Sequence, residues 1–497
     1  MRTLTRLHGL CLLLTLVGLL SLTPNLIRNH ILEGQIIKQT FSAEMAQSFS
    51  RGDQTGIYPH RHFLEVFYPD VVPWAEEFPL YTGVIGYTVR WTGLPLVPLG
   101  RFVSFGFLIL LLLGARRLGK NLDCEIKGLK SPLKLEWILP LICVWLPAFR
   151  TYGVSFMPDL PMTACCFWGA LLAFEKKWRS AAAALCIAAL FKYFAVFTTL
   201  GVMGYIWTQE KGWRALKHSA LIALSTLPAV AYMGLFLLIR IPNPITEYRT
   251  INGHGHMASL EMLTSIGTYL RFCTWMLVKN PSVPGTALAV LGLIWFWKKK
   301  PKALKTFVAS LAAALLLFPL IMTHGFYVHD YYGLQFTILT AIFAALGIMS
   351  LSRLPLVACL GVVLMTTGFV MTRSNLIPQT HYLKAAELMK SWTKPEDRGL
   401  LISSLSPAVL LFQTGQTAWG FEPKDWNRLG SDVMRLLQDE RIKWVAVYLV
   451  DPWAVSEWGW ISDELSRAGW RKIQAKQTLS STNFKVPTTR LWLLQRN

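Results

Sequence analysis

An α-helical polytopic membrane protein with outer juxtamembrane helices and a small C-terminal α/β domain is the fold class the sequence predicts, and three observations predict it. Hydrophobic residues make up 53% of the 497 residues and charged residues only 15%, well below the roughly 25% of soluble domains. Apolar runs close to spanning length recur from residue 7 to residue 372. Beyond residue 373 charge rises, and short apolar runs alternate between helical and strand patterns.

A net charge of +21 in a soluble chain would suggest nucleic acid. Here Lys and Arg sit in short clusters between apolar runs, which fits positive-inside topology and implies no nucleic-acid partner. Cys11, Cys143, Cys165, Cys166, Cys186 and Cys359 lie inside apolar segments without metal-ligand spacing, so they read as packing residues. The first run, Leu7 to Leu20 behind Arg2 and Arg6, lacks a convincing small-residue cleavage site and reads as an uncleaved first helix.

The expected spans are 7–27, 100–116, 135–150, 161–175, 180–191, 193–208, 218–239, 284–297, 305–323, 331–350 and 354–372, about eleven helices. The stretch Leu80 to Leu99 is apolar enough for a twelfth. Parity excludes it: the clusters Arg116 to Lys134, Lys176 to Arg179, Lys211 to Lys217, Lys298 to Lys305 and Arg353 share the cytoplasmic side with Arg2 and Arg6 only if 80–99 does not cross. That stretch is therefore expected along the outer surface. The domains follow as 1–372, the membrane part with a cytoplasmic N-terminus, and 373–497, an extracytoplasmic α/β domain.

This threading collects Glu77, Arg101, Asp159, Lys192, His329, Tyr331 and Tyr332 at the outer ends of the spans. Ionisable groups at membrane depth are costly and persist by pairing or by serving a polar substrate. Each has a plainer reading. Lys192, alone in the uncharged run Ala182 to Thr199, fits a snorkelling lysine or an internal ion pair. Asp159 fits a helix N-cap before Leu160-Pro161, and Glu77 a cap for the surface helix. Arg101 fits a headgroup anchor, and His329 and Tyr332 fit interfacial belt residues. Glu44 reads as a solvated helix face.

These motifs resemble a known family. The long first outer loop, Glu77-Phe78-Pro79-Leu80-Tyr81, Gly100-Arg101, Met157-Pro158-Asp159, Phe191-Lys192 and His329-Asp330-Tyr331-Tyr332 look like glycosyltransferase family 39 and its relatives, which include protein O-mannosyltransferases and the lipid A aminoarabinose transferase. The resemblance covers the layout of residues 7–372. It implies a C-type glycosyltransferase fold, with outer helices roofing a cavity that a polyprenyl-phosphate sugar donor enters from the membrane lipid. The implied reaction moves the sugar to an acceptor hydroxyl of a lipid, glycan or protein. One departure stands out: Lys38 and Gln39 occupy positions where many members carry an acidic pair.

Loss of a phosphate leaving group builds oxocarbenium character on the sugar and negative charge on the phosphate, by analogy with glycoside hydrolysis. Cations must meet the phosphate and a carboxylate must take the acceptor proton. Lys192 and Arg101 are the phosphate candidates, and Glu77 and Asp159 the catalytic carboxylates. His329, Tyr331, Tyr332 and, as a fallback carboxylate, Glu44 are the substrate-binding candidates. The metal question stays open: a divalent cation is one cofactor option, and His254 and His256 are two histidines without a third ligand nearby. A transporter or flippase of lipid-linked sugars, and a ligase using a pyrophosphate-linked oligosaccharide, are the alternatives. No internal repeat of the kind transporters show is visible.

The loop Ile241 to Pro284 predicts one or two surface helices over Leu260 to Val278. In the C-terminal part, helices are expected at Tyr382 to Trp392, Trp426 to Glu440 and Val455 to Ala468. Strands are expected at Gly399 to Ser403, Trp444 to Val450 and Thr489 to Leu494. Trp419, Trp453, Trp458, Trp460 and Trp470 fit either sugar stacking or a domain core.

Overall fold

The computed structural model describes residues 2–28, 31, 35–54, 59–61, 63–65, 72–73, 77–125, 133–238, 260–299, 302–351, 354–376, 380–394, 396–404, 406–423, 426–450, 454–477 and 489–496. Two compact units divide the chain: Met1–Arg28, Ala75–Ile85 and Pro98–Leu376 form the first, and Asn29–Trp74, Gly86–Val97 and Ile377–Asn497 the second.

In chain order the first helices are α1 (Arg2–Leu20), α2 (Ile36–Arg51), α3 (Leu80–Thr92), α4 (Leu96–Glu125), α5 (Leu135–Trp145), α6 (Pro147–Tyr152), α7 (Asp159–Phe174), α8 (Trp178–Phe191), α9 (Ala195–Gln209), α10 (Gly212–Leu224) and α11 (Leu227–Leu238). Long helices Ser282–Lys299, Lys302–Ile321, Leu334–Ser350 and Leu354–Asn375 follow. Every one of the eleven expected spans is helical, but length separates them. Among the described residues four helices are long and apolar enough to cross a membrane, and the bent pair Ile266–Lys279 and Ser282–Lys298 would make five. The expected count of eleven is thus not reached on length. α8 and α9, with 14 and 15 residues, reach only about 21 to 23 Å at 1.5 Å per residue.

The outward faces are apolar. Leu13, Leu16, Leu113, Leu293, Trp297 and Leu316 are all exposed, a distribution that water does not tolerate over such an area and lipid does. The chain is an integral membrane protein. α3 stops at Thr92 and α4 starts at Leu96, so the end of the expected surface stretch 80–99 belongs to the next helix. At 13 residues, α3 is too short to span.

Within the first unit the helices Ser282–Lys299 and Leu334–Ser350 approach to backbone contact. A Cβ on Gly292 would lie 1.7 Å from the Phe343 carbonyl oxygen, and one on Gly347 would lie 2.1 Å from that of Leu288. Small residues permit such crossings in a bundle, where close packing replaces the hydrophobic effect. Gly292→Val is expected to force the helices apart at a cost of about 1–3 kcal/mol, read as a lower thermal midpoint in detergent. An unchanged midpoint would show that the pair does not pack this way.

The second unit is an α/β domain around a six-stranded sheet. Its strands are β2 (Phe63–Glu65), β4 (Arg398–Ser403), β5 (Ala418–Phe421), β6 (Ile442–Val450), β7 (Trp470–Gln477) and β8 (Thr489–Arg496), in the order β2-β5-β4-β6-β8-β7. A separate short ladder pairs β1 (His60–Arg61) with β3 (Val72–Pro73). The strands β2, β5, β4 and β6 run parallel, while β8 and β7 close the edge antiparallel. Successive residues point to opposite faces, which divides the core in two. Leu400, Ile402, Val445 and Val447 pack with Val433, Leu437, Ile461 and Leu465 on one side. Leu401, Ala446 and Tyr448 pack with Tyr382, Met389 and Leu410 on the other.

Burial decides one open alternative here and corrects one expectation. Trp419 and Trp470 are buried at 0% and 1% exposure, so they are core residues and offer no face to a sugar; Trp458 stacks on Trp492 at 4.1 Å. Trp453 lies outside the described residues. Glu44 is no solvated helix face: it is 5% exposed, and Lys38, Gln39 and Ser48 of α2 are buried with it.

Asp439 links this unit to pH. The Arg441 guanidinium grips its carboxylate at 2.7 and 3.0 Å, and these hydrogen bonds hold the carboxyl below its ordinary value. A depressed folded value gives stability that is present above the unfolded value of about 3.9 and lost as pH falls through the folded one. Wild type should therefore lose about 0.2–1 kcal/mol more than Asp439→Asn between pH 5 and strong acid, the range for exposed pairs. Parallel acid-unfolding curves for the two would refute it.

Candidate active site

Three breaks in helical structure build the site in the first unit. α7 begins at Asp159 after Pro158, and no side chain caps it. α8 ends at Phe191, and Lys192 takes an extended conformation (φ −162°, ψ 130°) before α9 resumes at Ala195. A 3₁₀ turn, Asp330–Gly333, joins the helices Thr323–Val328 and Leu334–Ser350. Each break frees a side chain from the helical ladder and turns it toward the same centre.

That centre is Lys192. Its ammonium donates to Asp159 Oδ1 at 2.8 Å and lies 3.9 Å from Glu77 Oε2. Lys192, Glu77 and Asp159 are 3%, 5% and 1% exposed. Aromatic faces stand beside it as well: Nζ lies 4.8 Å from the Tyr331 ring, 5.4 Å from Tyr332 and 5.3 Å from Phe194. Such faces attract a desolvated cation by about 2 kcal/mol. Asp159 Oδ2 is buried and has no hydrogen-bond partner among the described residues. A buried acceptor of this kind costs about 1–3 kcal/mol until a donor meets it.

Arg101 is spent differently. It is fully buried, and its Nη1 donates to the carbonyls of Asn25 and Arg28, at 3.0 and 2.7 Å. His329 stacks on Tyr331 at 4.9 Å and leans on Tyr332 at 5.5 Å. Thus Glu77, Asp159, Lys192, His329, Tyr331 and Tyr332 come together, whereas the Arg101 guanidinium hydrogen-bonds to the chain after α1. Glu44 belongs to the second unit.

Several supporting residues carry no strong sequence signal. Tyr81 donates to the Gly100 carbonyl at 2.9 Å and pairs with Ser104 Oγ at 2.8 Å. Burial pushes its phenol up, and the Asp159 carboxylate adds to that push, so Tyr81 stays a neutral donor. Gly100 matters by lacking a side chain, since a Cβ there would lie 2.5 Å from the Phe156 ring that leads into Met157-Pro158-Asp159. Asp330 anchors the tyrosine turn: it accepts from Tyr152 at 2.5 Å and pairs with Lys279 at 2.5 Å, while Asn280 donates to its carbonyl at 3.1 Å. Lys279 ends a π-helical turn, Trp275–Lys279, a feature common at functional sites. Of these, Tyr81, Gly100 and Asp330 stand inside motifs marked in the sequence, while Ser104, Tyr152, Lys279 and Asn280 do not.

Among the described residues no group of three His, Cys, Asp or Glu side chains is arranged to hold a metal ion. His254 and His256 lie outside the described residues. Glu77 and Asp159 have an ammonium between them, a donor set neutralised by Lys192.

The chain has the fold of the C-type glycosyltransferases. Two crystal structures of ArnT from Cupriavidus metallidurans resemble it at 12% sequence identity, each alignment covering 97% of this chain and 98% of that one. The apo form gives a TM-score of 0.61 and the form bound to undecaprenyl phosphate 0.60. The apo oligosaccharyltransferase of Archaeoglobus fulgidus resembles it with a TM-score of 0.55 at 10% identity, covering 88% of this chain and 69% of that one. No protein-family profile matches the chain, and no curated protein matches it in sequence.

Proposed function

We propose that this protein is a membrane glycosyltransferase that moves a sugar from a polyprenyl-phosphate carrier to an acceptor hydroxyl at the extracytoplasmic face. One observation carries the reading: a buried ammonium, Lys192, joined to a carboxylate, Asp159, whose second oxygen meets no donor among the described residues. The fold and the undecaprenyl phosphate bound to one ArnT structure support a phosphorylated isoprenoid as the donor's carrier. The basic clusters at the far ends of the spans support a cytoplasmic N-terminus.

In this mechanism Lys192 meets the leaving phosphate as charge develops on it, in a dry site where a fixed cation is worth far more than in water. The acceptor hydroxyl donates to Asp159 Oδ2, which satisfies the orphaned oxygen and takes the proton as the new glycosidic bond forms. Glu77 shares the ammonium and balances it when Asp159 is protonated. The rings of Tyr331 and Tyr332 face the ammonium and help to hold it in place. Arg101 serves the site by fixing the chain after α1.

The test incubates purified protein with radiolabelled polyprenyl-phosphate monosaccharides and membrane extract. Label in a new product supports transfer. Label that crosses vesicles without a new product points to a transporter, and label accepted only from a pyrophosphate-linked oligosaccharide points to a ligase.

A further inference from the structure

A second charged surface lies at the opposite ends of α7 and α8. Asp159 opens α7 and Lys192 follows α8, while Lys176, Lys177 and Trp178 join the two helices at their other ends. Fourteen residues of α8 set these ends about 21 Å from the Lys192 pair. There α8 and α10 enclose a groove of about 1020 Å³, large enough for a sizeable small molecule.

Its lining sorts by chemistry. Lys176, Lys177, Arg179 and Lys217 line the groove and no acidic residue does. Lys177 is held by Glu175 at 2.8 Å, and Glu175 also takes Arg117. Glu210 lies 3.8 Å from His218, which stacks on Trp178. Lys176, Arg179 and Lys217 are exposed and have no acidic partner among the described residues, so three cations face one concavity unneutralised. Below them the wall turns apolar through Leu216, Leu221 and Leu224. Exposed Leu224, Leu227 and Val230 continue that wall along α10 and α11, and Trp213 stands 74% exposed at the rim. Cations at one end, apolar surface at the other and an exposed tryptophan at the rim reproduce the composition of a membrane interface.

We infer that this groove binds an anionic phospholipid of the leaflet opposite the Lys192 site. The phosphate sits among Lys176, Arg179 and Lys217, and one acyl chain lies along Leu216 and Leu224. An unpaired cation near an anionic headgroup gains about fivefold in affinity. A zwitterionic lipid gains little, because its own ammonium competes with the protein's.

The test needs no transfer activity and so stands apart from the proposed reaction. Purified full-length protein in detergent is titrated with phosphatidylglycerol or phosphatidylcholine, and retained lipid is counted by native mass spectrometry. Wild type should retain phosphatidylglycerol preferentially. Arg179→Gln/Lys217→Gln should weaken that retention by about 25-fold, and Lys217→Gln alone by about fivefold should the double variant not fold. Lys305→Gln, outside the groove, should change nothing. Equal retention of the two lipids, or unchanged binding in the variants, overturns the inference. Full displacement of phosphatidylglycerol by millimolar inorganic phosphate also overturns it, because the site would then recognise the ion and not the lipid.

Discussion

Lys192→Met is expected to lower the transfer rate by at least about 10²-fold, measured as labelled product per unit of folded protein. Methionine keeps an unbranched stem out to Cε and removes the ammonium, and with it the donor to Asp159 and the cation that faces Phe194 and the two tyrosines. The same substitution leaves Asp159 buried at 1% exposure without its cation, a loss that costs about 3–5 kcal/mol of stability. Stability and catalysis must therefore be separated. In Lys192→Met/Asp159→Leu/Glu77→Gln the ammonium and both carboxylates beside it are gone, and uncharged groups replacing buried charges are often neutral or stabilising. The triple variant should regain much of the thermal midpoint and none of the turnover. Activity that returns together with stability would mean that the pair only holds α7 to α8.

Hydropathy showed the helices well, because lipid demands long apolar faces and leaves a plain record of them in sequence. It showed their lengths poorly. Lys192 marked its own importance as one charge in an uncharged run, but the sequence holds no sign that it meets Asp159, 33 residues away, and not the nearer clusters. α2 misled for a different reason: its polar residues suggest solvent, yet Gln39, Thr40, Ser42 and Glu44 are all buried. Burial of polar groups is permitted when they find partners, and partners distant in sequence cannot be read from composition. The C-terminal alternation gave helices at Thr380–Trp392, Trp426–Leu437 and Ala454–Arg467 near their expected places. It missed β2, because Phe63–Glu65 pairs in parallel with Ala418–Gly420 across more than 350 residues and three residues carry no period. Arg101 shows the limit of reading by side: it belongs to the right end of the bundle, and its guanidinium answers two backbone carbonyls.

Asp159→Asn is the sharper probe of the base, with an expected fall of at least about 10²-fold in turnover. The amide keeps the shape of the carboxylate, and its oxygen still accepts from Lys192. The other position becomes an NH₂ donor where Oδ2 had been an acceptor, so an acceptor hydroxyl finds a donor facing it and no base. The donor's KM should move little, since the phosphate is held by Lys192, and the loss should fall on kcat. Glu77→Gln provides the comparison. Glu77 stands 3.9 Å from the ammonium against 2.8 Å for Asp159, so its contribution through Lys192 is weaker and its variant should lose less. The order of the two effects decides the roles, because both carboxylates are buried and both touch the same cation. A fully active Asp159→Asn beside an inactive Glu77→Gln would move the proton to Glu77 and leave Asp159 as the residue that orients Lys192.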